Sequence, residues 1–260
     1  SEGSLDVNAE FEKWYAETYG ETVKVVYTTY ASNEDLYAKL KSGAAGYDVI
    51  LPSDYMIARM IEEGMLEKLN FDNIPNYAGI SESFRGLYYD ANDEYSVPFS
   101  YGMVGIIYDT TVVDEADTGT WDLMWNEKYA GKILQFNNSR DAFGTAMYRA
   151  GIDVNTEDRA AWQTALDALK AQKPLLQGYV MDEVFNKMEG GEAAVAAYYA
   201  GDYLSMVENN DKLGFYYPTD KGGNFATNLF VDAYCIPKGA ANKELAEAYI
   251  NFSLSEKIAV

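Results

Sequence analysis

Apolar positions in the first third of the chain follow periods that predict alternating helices and strands. Phe11 and Trp14 fall on one helical face, and Gly20 provides a left-handed stop. The predicted elements are helices over 5–19, 32–43 and 55–63 and strands over 22–30 and 47–51. Two successive strand–helix units favour a parallel sheet with right-handed crossovers.

The rest of the chain repeats this alternation without an internal repeat or a low-complexity linker. The predicted elements are strands over 132–136, 193–199 and 230–236 and helices over 139–150, from 156, from 201 and over 242–253. We therefore expect an α/β protein with two lobes, and the apolar strands 104–108 and 230–236 are candidates for passing between them. Ligands of open α/β sheets bind beyond the carboxyl ends of the strands, so a cleft between the lobes is the expected site.

Charge narrows the choice of ligand. The 260 residues carry 20 lysines and arginines against 41 aspartates and glutamates, a net charge of −21. Such a field repels phosphate backbones and anionic lipid, so we expect no nucleic-acid partner, and it attracts cations. The chain has no histidine and one cysteine, Cys235. These counts exclude histidine-based triads, histidine-ligated zinc and thiolate clusters, and we expect no cofactor and no bound metal.

Carboxylates and aromatic rings recur together where the predicted strands end. These residues are Ser53 and Tyr55 after 47–51, Tyr101, Asn138 and Asp141 after 132–136, Tyr199 and Asp202 after 193–197, and Phe230 and Asp232 in the last strand. An organic polyamine suits this combination, because its ammonium groups need carboxylates and its methylenes favour aromatic walls.

Each of these residues also has a purely structural interpretation. Ser53 and Asp202 fit helix caps, Asp141 fits the first turn of a helix, and the tyrosines fit a core or its rim. Asp232 differs, because it interrupts a run of apolar strand residues where a carboxylate needs a partner.

The order of the segments resembles the spermidine/putrescine-binding proteins of bacterial ABC transporters. The resembling segments are 26–69, 95–109, 121–147, 191–203 and 230–252, with motifs such as PSDY, FNNSRD, YYAGDY and FVD. The resemblance assigns ligand contacts to Ser53 and Tyr55, to Asn138 and Asp141 on either side of an arginine, to Tyr199 and Asp202, and to Phe230 and Asp232. Where the family often has tryptophan, this chain has Tyr101, Tyr199 and Phe230.

The resemblance implies a two-lobed venus-flytrap fold, each lobe a mixed sheet flanked by helices, with lobe I formed by 1–107 and 232–260 and lobe II by 108–231. It implies a monomeric receptor outside the cytoplasmic membrane, in the periplasm or as a cell-surface lipoprotein. The receptor would capture spermidine or putrescine and deliver it to a membrane permease. The family opens with a strand ahead of the first helix and continues beyond the last, so we expect a trimmed or partial chain.

Three other functions remain open at this level. Adjacent tyrosines such as Tyr198 and Tyr199 serve ferric-ion receptors, since hard oxygen ligands suit that metal. Aromatic platforms also serve sugar receptors, although the carboxylate excess favours a cation. A pair of carboxylates could act as a glycosidase, but nothing in the sequence marks one of them as the acid.

Overall fold

The structure is a computed structural model that describes residues 5–43, 46–220 and 222–258. The expectations that concern residues 1–4 and 259–260 lie outside the described residues. The helices are α1 (Val7–Tyr19), α2 (Asn33–Lys41), α3 (Asp54–Glu62), α4 (Ser139–Ala150), α5 (Arg159–Gln172), α6 (Glu183–Glu189), α7 (Ala200–Asn209) and α8 (Lys243–Ser253). The strands are β1 (Ser96–Asp109), β2 (Ile133–Phe136), β3 (Leu176–Val180), β4 (Val195–Tyr199), β5 (Leu213–Tyr216) and β6 (Leu229–Cys235).

The described chain divides into two compact units. Unit 1 runs up to Tyr101 and resumes at Val231, and unit 2 runs from Gly102 to Phe230. The boundaries therefore fall inside β1 and β6, whereas the sequence prediction placed them after residues 107 and 231. Each unit has its own buried clusters, around Ile57 and Ile250 in unit 1 and around Ile106 and Ala165 in unit 2.

A mixed sheet with the strand order β3-β2-β4-β1-β5 forms the centre of unit 2. β2 pairs in parallel with β3 and β4, while β1 pairs antiparallel with β4 and β5. The parallel strands therefore end at one edge of the sheet, where α4 and α7 begin. The prediction of an α/β fold with a mixed sheet is confirmed.

Unit 1 departs from the prediction. Residues 22–30 form no strand, and residue 50 of the predicted strand 47–51 makes only an isolated antiparallel bridge to Cys235. The β-branched composition of 22–30 favours an extended chain, but a strand also needs a neighbour, and this segment instead lines a cavity of about 630 Å³. Val26 and Tyr27 are consequently 83% and 72% exposed. Unit 2 therefore contains the mixed sheet that was expected for each lobe. In unit 1, the isolated bridges at residues 50, 53 and 66 are all antiparallel.

Candidate functional site

Asp232 is the predicted site residue of unit 1 that another predicted residue, Ser53, contacts. It lies on β6 between the buried Val231 and Ala233, so its side chain projects from the opposite face of the strand. The Ser53 hydroxyl donates a hydrogen bond of 2.7 Å to Asp232 Oδ1, and the Ser100 hydroxyl donates a longer one, 3.4 Å, to Oδ2. Burial raises the pKa of Asp232, and the two serine hydroxyls partly oppose that rise. Both of these hydroxyls are neutral, so they do not balance the negative charge of the buried carboxylate. A cationic ligand would balance it.

Ser53 precedes α3 at the N-cap position, as its structural interpretation requires. Its side chain nevertheless makes no capping hydrogen bond to the helix and donates instead to Asp232. Helix capping therefore does not account for this hydroxyl.

The two tyrosines of unit 1 are arranged differently. Tyr55, in the first turn of α3, donates a 3.0 Å hydrogen bond to Glu34. Tyr101 is 62% exposed, and its ring lies 4.8 Å from that of Phe84. Tyr101 is therefore the more accessible of the two rings.

Tyr199 joins two of the other predicted residues in unit 2. Its hydroxyl donates a hydrogen bond to Asp141 in the first turn of α4, and its ring meets the ring of Phe230 at 5.2 Å and 67°. Gly102 allows this arrangement, because a Cβ there would lie 2.6 Å from Phe230 Cζ. A carboxylate and two rings from α4, β4 and β6 are thus brought together.

Asn138 and Asp202 occupy the helix starts at the same edge of the sheet. Asn138 caps α4, with its side-chain oxygen accepting from the backbone N–H groups of Arg140 and Asp141. Asp202 lies in the first turn of α7, where burial and, to a smaller extent, the charge of Asp182 raise its pKa. Asp182 follows β3 and was missed from the sequence, although its position after a parallel strand is the same signal that identified Asp141 and Asp202.

The predicted residues thus fall into two groups. The unit 1 group contains Ser53, Tyr55, Tyr101 and Asp232, and the unit 2 group contains Asn138, Asp141, Tyr199, Asp202 and Phe230. Sequence reasoning also missed Asn33, whose side chain contacts Ser53. A contact between residues 20 positions apart leaves no local pattern to find.

Over the residues that the structure describes, histidine, cysteine, aspartate and glutamate form no group of three or more suited to a metal ion. Across the same part of the chain, every helix is too short or too polar to traverse a bilayer.

Comparison with known proteins is consistent with this fold. Residues 8–259 match the model of a family described as bacterial extracellular solute-binding protein. The spermidine/putrescine-binding periplasmic protein of Escherichia coli is 30% identical over 238 residues, which are 91% of this chain and 67% of that protein.

Two solved structures are also similar. A putative spermidine/putrescine ABC transporter protein from Listeria monocytogenes superposes with a TM-score of 0.87 at 29% identity, covering 98% of this chain and 77% of that one. The TpPotD lipoprotein of Treponema pallidum gives 0.85 at 32% identity, covering 97% and 78%. The resemblance found in the sequence is therefore confirmed, and the chain belongs to the family of bacterial extracellular solute-binding proteins.

Proposed function

We propose that this protein is a non-catalytic receptor that binds spermidine or putrescine outside the cytoplasmic membrane and delivers it, as a monomer, to the permease of an ABC transporter. The observation that carries the proposal is the environment of Asp232 and Asp202. Burial raises the pKa of each carboxyl, and the two belong to different units. Each lies close enough to a tyrosine, Tyr30 for Asp232 and Tyr198 for Asp202, to act on that phenol electrostatically. Relatives named for spermidine and putrescine support the same class of ligand.

In this proposal Asp232 and Asp202 each bind one ammonium group, and Asp141 serves a further amine. The four rings of Tyr199, Phe230, Tyr55 and Tyr101 pack against the methylenes, and an ammonium group that lies over one of them adds about 0.5–2 kcal/mol. Ser53 orients Asp232, and Asn138 holds the start of α4. A micromolar ligand needs about 8 kcal/mol net, which two or three such ion pairs and rings supply after the cost of association.

The ferric-ion alternative has less support. Tyr198 is 2% exposed within the core of unit 2, and burial raises the pKa of its phenol, which disfavours the phenolate that a ferric ion needs. The Tyr199 hydroxyl already donates a hydrogen bond to Asp141. Two adjacent phenolates on one metal do not fit this arrangement.

Native mass spectrometry tests the proposal directly. The protein is unfolded, dialysed, refolded and mixed with spermidine, putrescine, a monosaccharide or ferric citrate in separate samples. We expect a mass increase of one polyamine for spermidine or putrescine and none for the other two. An adduct with the sugar or iron and none with either polyamine would overturn the proposal.

A further inference from the structure

Asn33, the first residue of α2, makes two hydrogen bonds to Ser53. The backbone N–H of Ser53 donates to Asn33 Oδ1 at 3.1 Å, and Asn33 Nδ2 donates to Ser53 Oγ at 3.1 Å. The backbone N–H can only donate, so the amide oxygen must face it and the NH₂ group must face the hydroxyl. The orientation of the Asn33 amide is therefore fixed by its partner.

This orientation determines the direction of the next hydrogen bond. Ser53 Oγ accepts from Asn33, and its single hydrogen then points along the 2.7 Å contact to Asp232 Oδ1. An ionised carboxylate can only accept, so donor and acceptor alternate consistently from Asn33 through Ser53 to Asp232.

We propose that Asn33 is a positioning residue that commits the Ser53 hydroxyl to donate to Asp232, which keeps that carboxylate ionised and oriented for an ammonium group. The role in ligand binding rests on the proposed function, whereas the effect on the carboxylate can be measured without ligand. Without Asn33, the hydroxyl is free to turn away or to accept from a protonated Asp232.

Several other polar groups lie near Asp232, and the substitutions that test this proposal do not alter them. The Ser100 hydroxyl donates to Oδ2 of Asp232, and the backbone N–H of Val231 donates to the Asp54 carboxylate. The Tyr30 phenol donates to the Leu51 carbonyl, and burial and, to a smaller extent, the charge of Asp232 raise the pKa of that phenol. The Cys235 thiol, farther along β6, is buried and has a strongly raised pKa. Differences in the Asp232 pKa among the variants therefore report the chain of hydrogen bonds from Asn33 through Ser53 to Asp232, which we call the Asn33–Ser53 relay.

The test follows the side-chain carboxyl signal of Asp232 by NMR during a pH titration of the ligand-free protein. Asn33→Ala and Ser53→Ala should each raise the pKa of Asp232, and the double variant should show no further rise, because Asn33 acts through Ser53. Asn33→Asp keeps the acceptor for the Ser53 N–H, lacks the NH₂ donor and adds a negative charge near Asp232, so the rise in this pKa should exceed that of Asn33→Ala. The control is Asn73→Ala, which removes another amide that serves a carboxylate of unit 1, Glu247.

Spermidine titration of the same variants should give affinities roughly fivefold weaker for Asn33→Ala than for the wild type or Asn73→Ala. If Asn33→Ala lowers only the thermal stability and leaves the pKa of Asp232 as in the wild type, the inference is wrong. If the pKa rises as expected but no variant, including the wild type, binds a polyamine, the relay stands and the proposed function fails.

Discussion

The hydroxyl of Tyr199 donates a 2.7 Å hydrogen bond to Oδ2 of Asp141, a carboxylate that is only 8% exposed. Hydrogen bonds to charged groups contribute about 1.5–3 kcal/mol, and a buried carboxylate that loses a donor bears a desolvation cost. This contact therefore links an aromatic wall of the predicted site to one of its charges.

Tyr199→Phe keeps the ring and removes this donor. We expect the free energy of unfolding in urea to fall by about 1–3 kcal/mol. The control is Tyr203→Phe, whose hydroxyl makes only a 3.3 Å bond to the Leu213 carbonyl. If Tyr199→Phe and the wild type have the same free energy of unfolding, the hydrogen bond to Asp141 does not stabilise the fold.

Gly102→Ala tests the aromatic wall without changing a charge. The added methyl group would lie 2.6 Å from the end of the Phe230 ring, which must move away from its contact with Tyr199. Overpacking of this kind costs about 1–3 kcal/mol, so we expect spermidine affinity to fall by about tenfold. Gly178→Ala on β3 is the matched control, because its Cβ would meet no atom within 4 Å. If Gly102→Ala binds spermidine as tightly as the wild type, the position of the Phe230 ring does not contribute to binding.

The pH dependence of stability and that of binding should have opposite signs. Burial raises the pKa of Asp232 and of Asp202, so each carboxyl holds its proton more tightly in the folded protein than in the unfolded chain. From about pH 4, the ordinary value, up to the raised pKa, this contribution to ligand-free stability falls as the pH rises. Polyamine binding requires the ionised carboxylates, so it strengthens over the same window.

Thermal melts over this pH window check the prediction. The increase in Tm caused by saturating spermidine should grow as the pH rises from about 4 to about 7, while the amines stay protonated throughout. The Asp202→Asn, Asp232→Asn double variant should lose most of this dependence. A Tm increase that is flat or shrinks with rising pH would contradict the assignment of both carboxylates.

The net charge of −21 should accelerate capture of a cation. We expect the association rate with spermidine, followed by stopped-flow protein fluorescence, to fall several-fold as salt is raised from about 10 mM to about 300 mM. The dissociation rate should change much less, because the bound amine lies beside desolvated carboxylates. Association rates that do not depend on salt would argue against electrostatic capture.

The sequence predicted those features that depend on local pattern. Asp232 was identified because it interrupts an apolar strand, and the carboxylates after the parallel strands of unit 2 because such strands share one edge. Residues 22–30 were wrongly predicted as a strand, since composition reports extended preference but supplies no neighbouring strand. The hydrogen bond from Ser53 to Asp232 joins residues 179 positions apart, and only the fold brings them together.

Isothermal titration of spermidine and putrescine into the wild type, Asp202→Asn and Asp232→Asn measures the central claim most directly. Removing one partner of a desolvated charge pair costs about 2 kcal/mol or more, so each variant should bind about thirtyfold more weakly or worse. The control is Asp167→Asn, which removes an exposed carboxylate on α5 and should leave the affinity unchanged. Binding of neither polyamine by the wild type, or wild-type affinity in both site variants, would contradict the account.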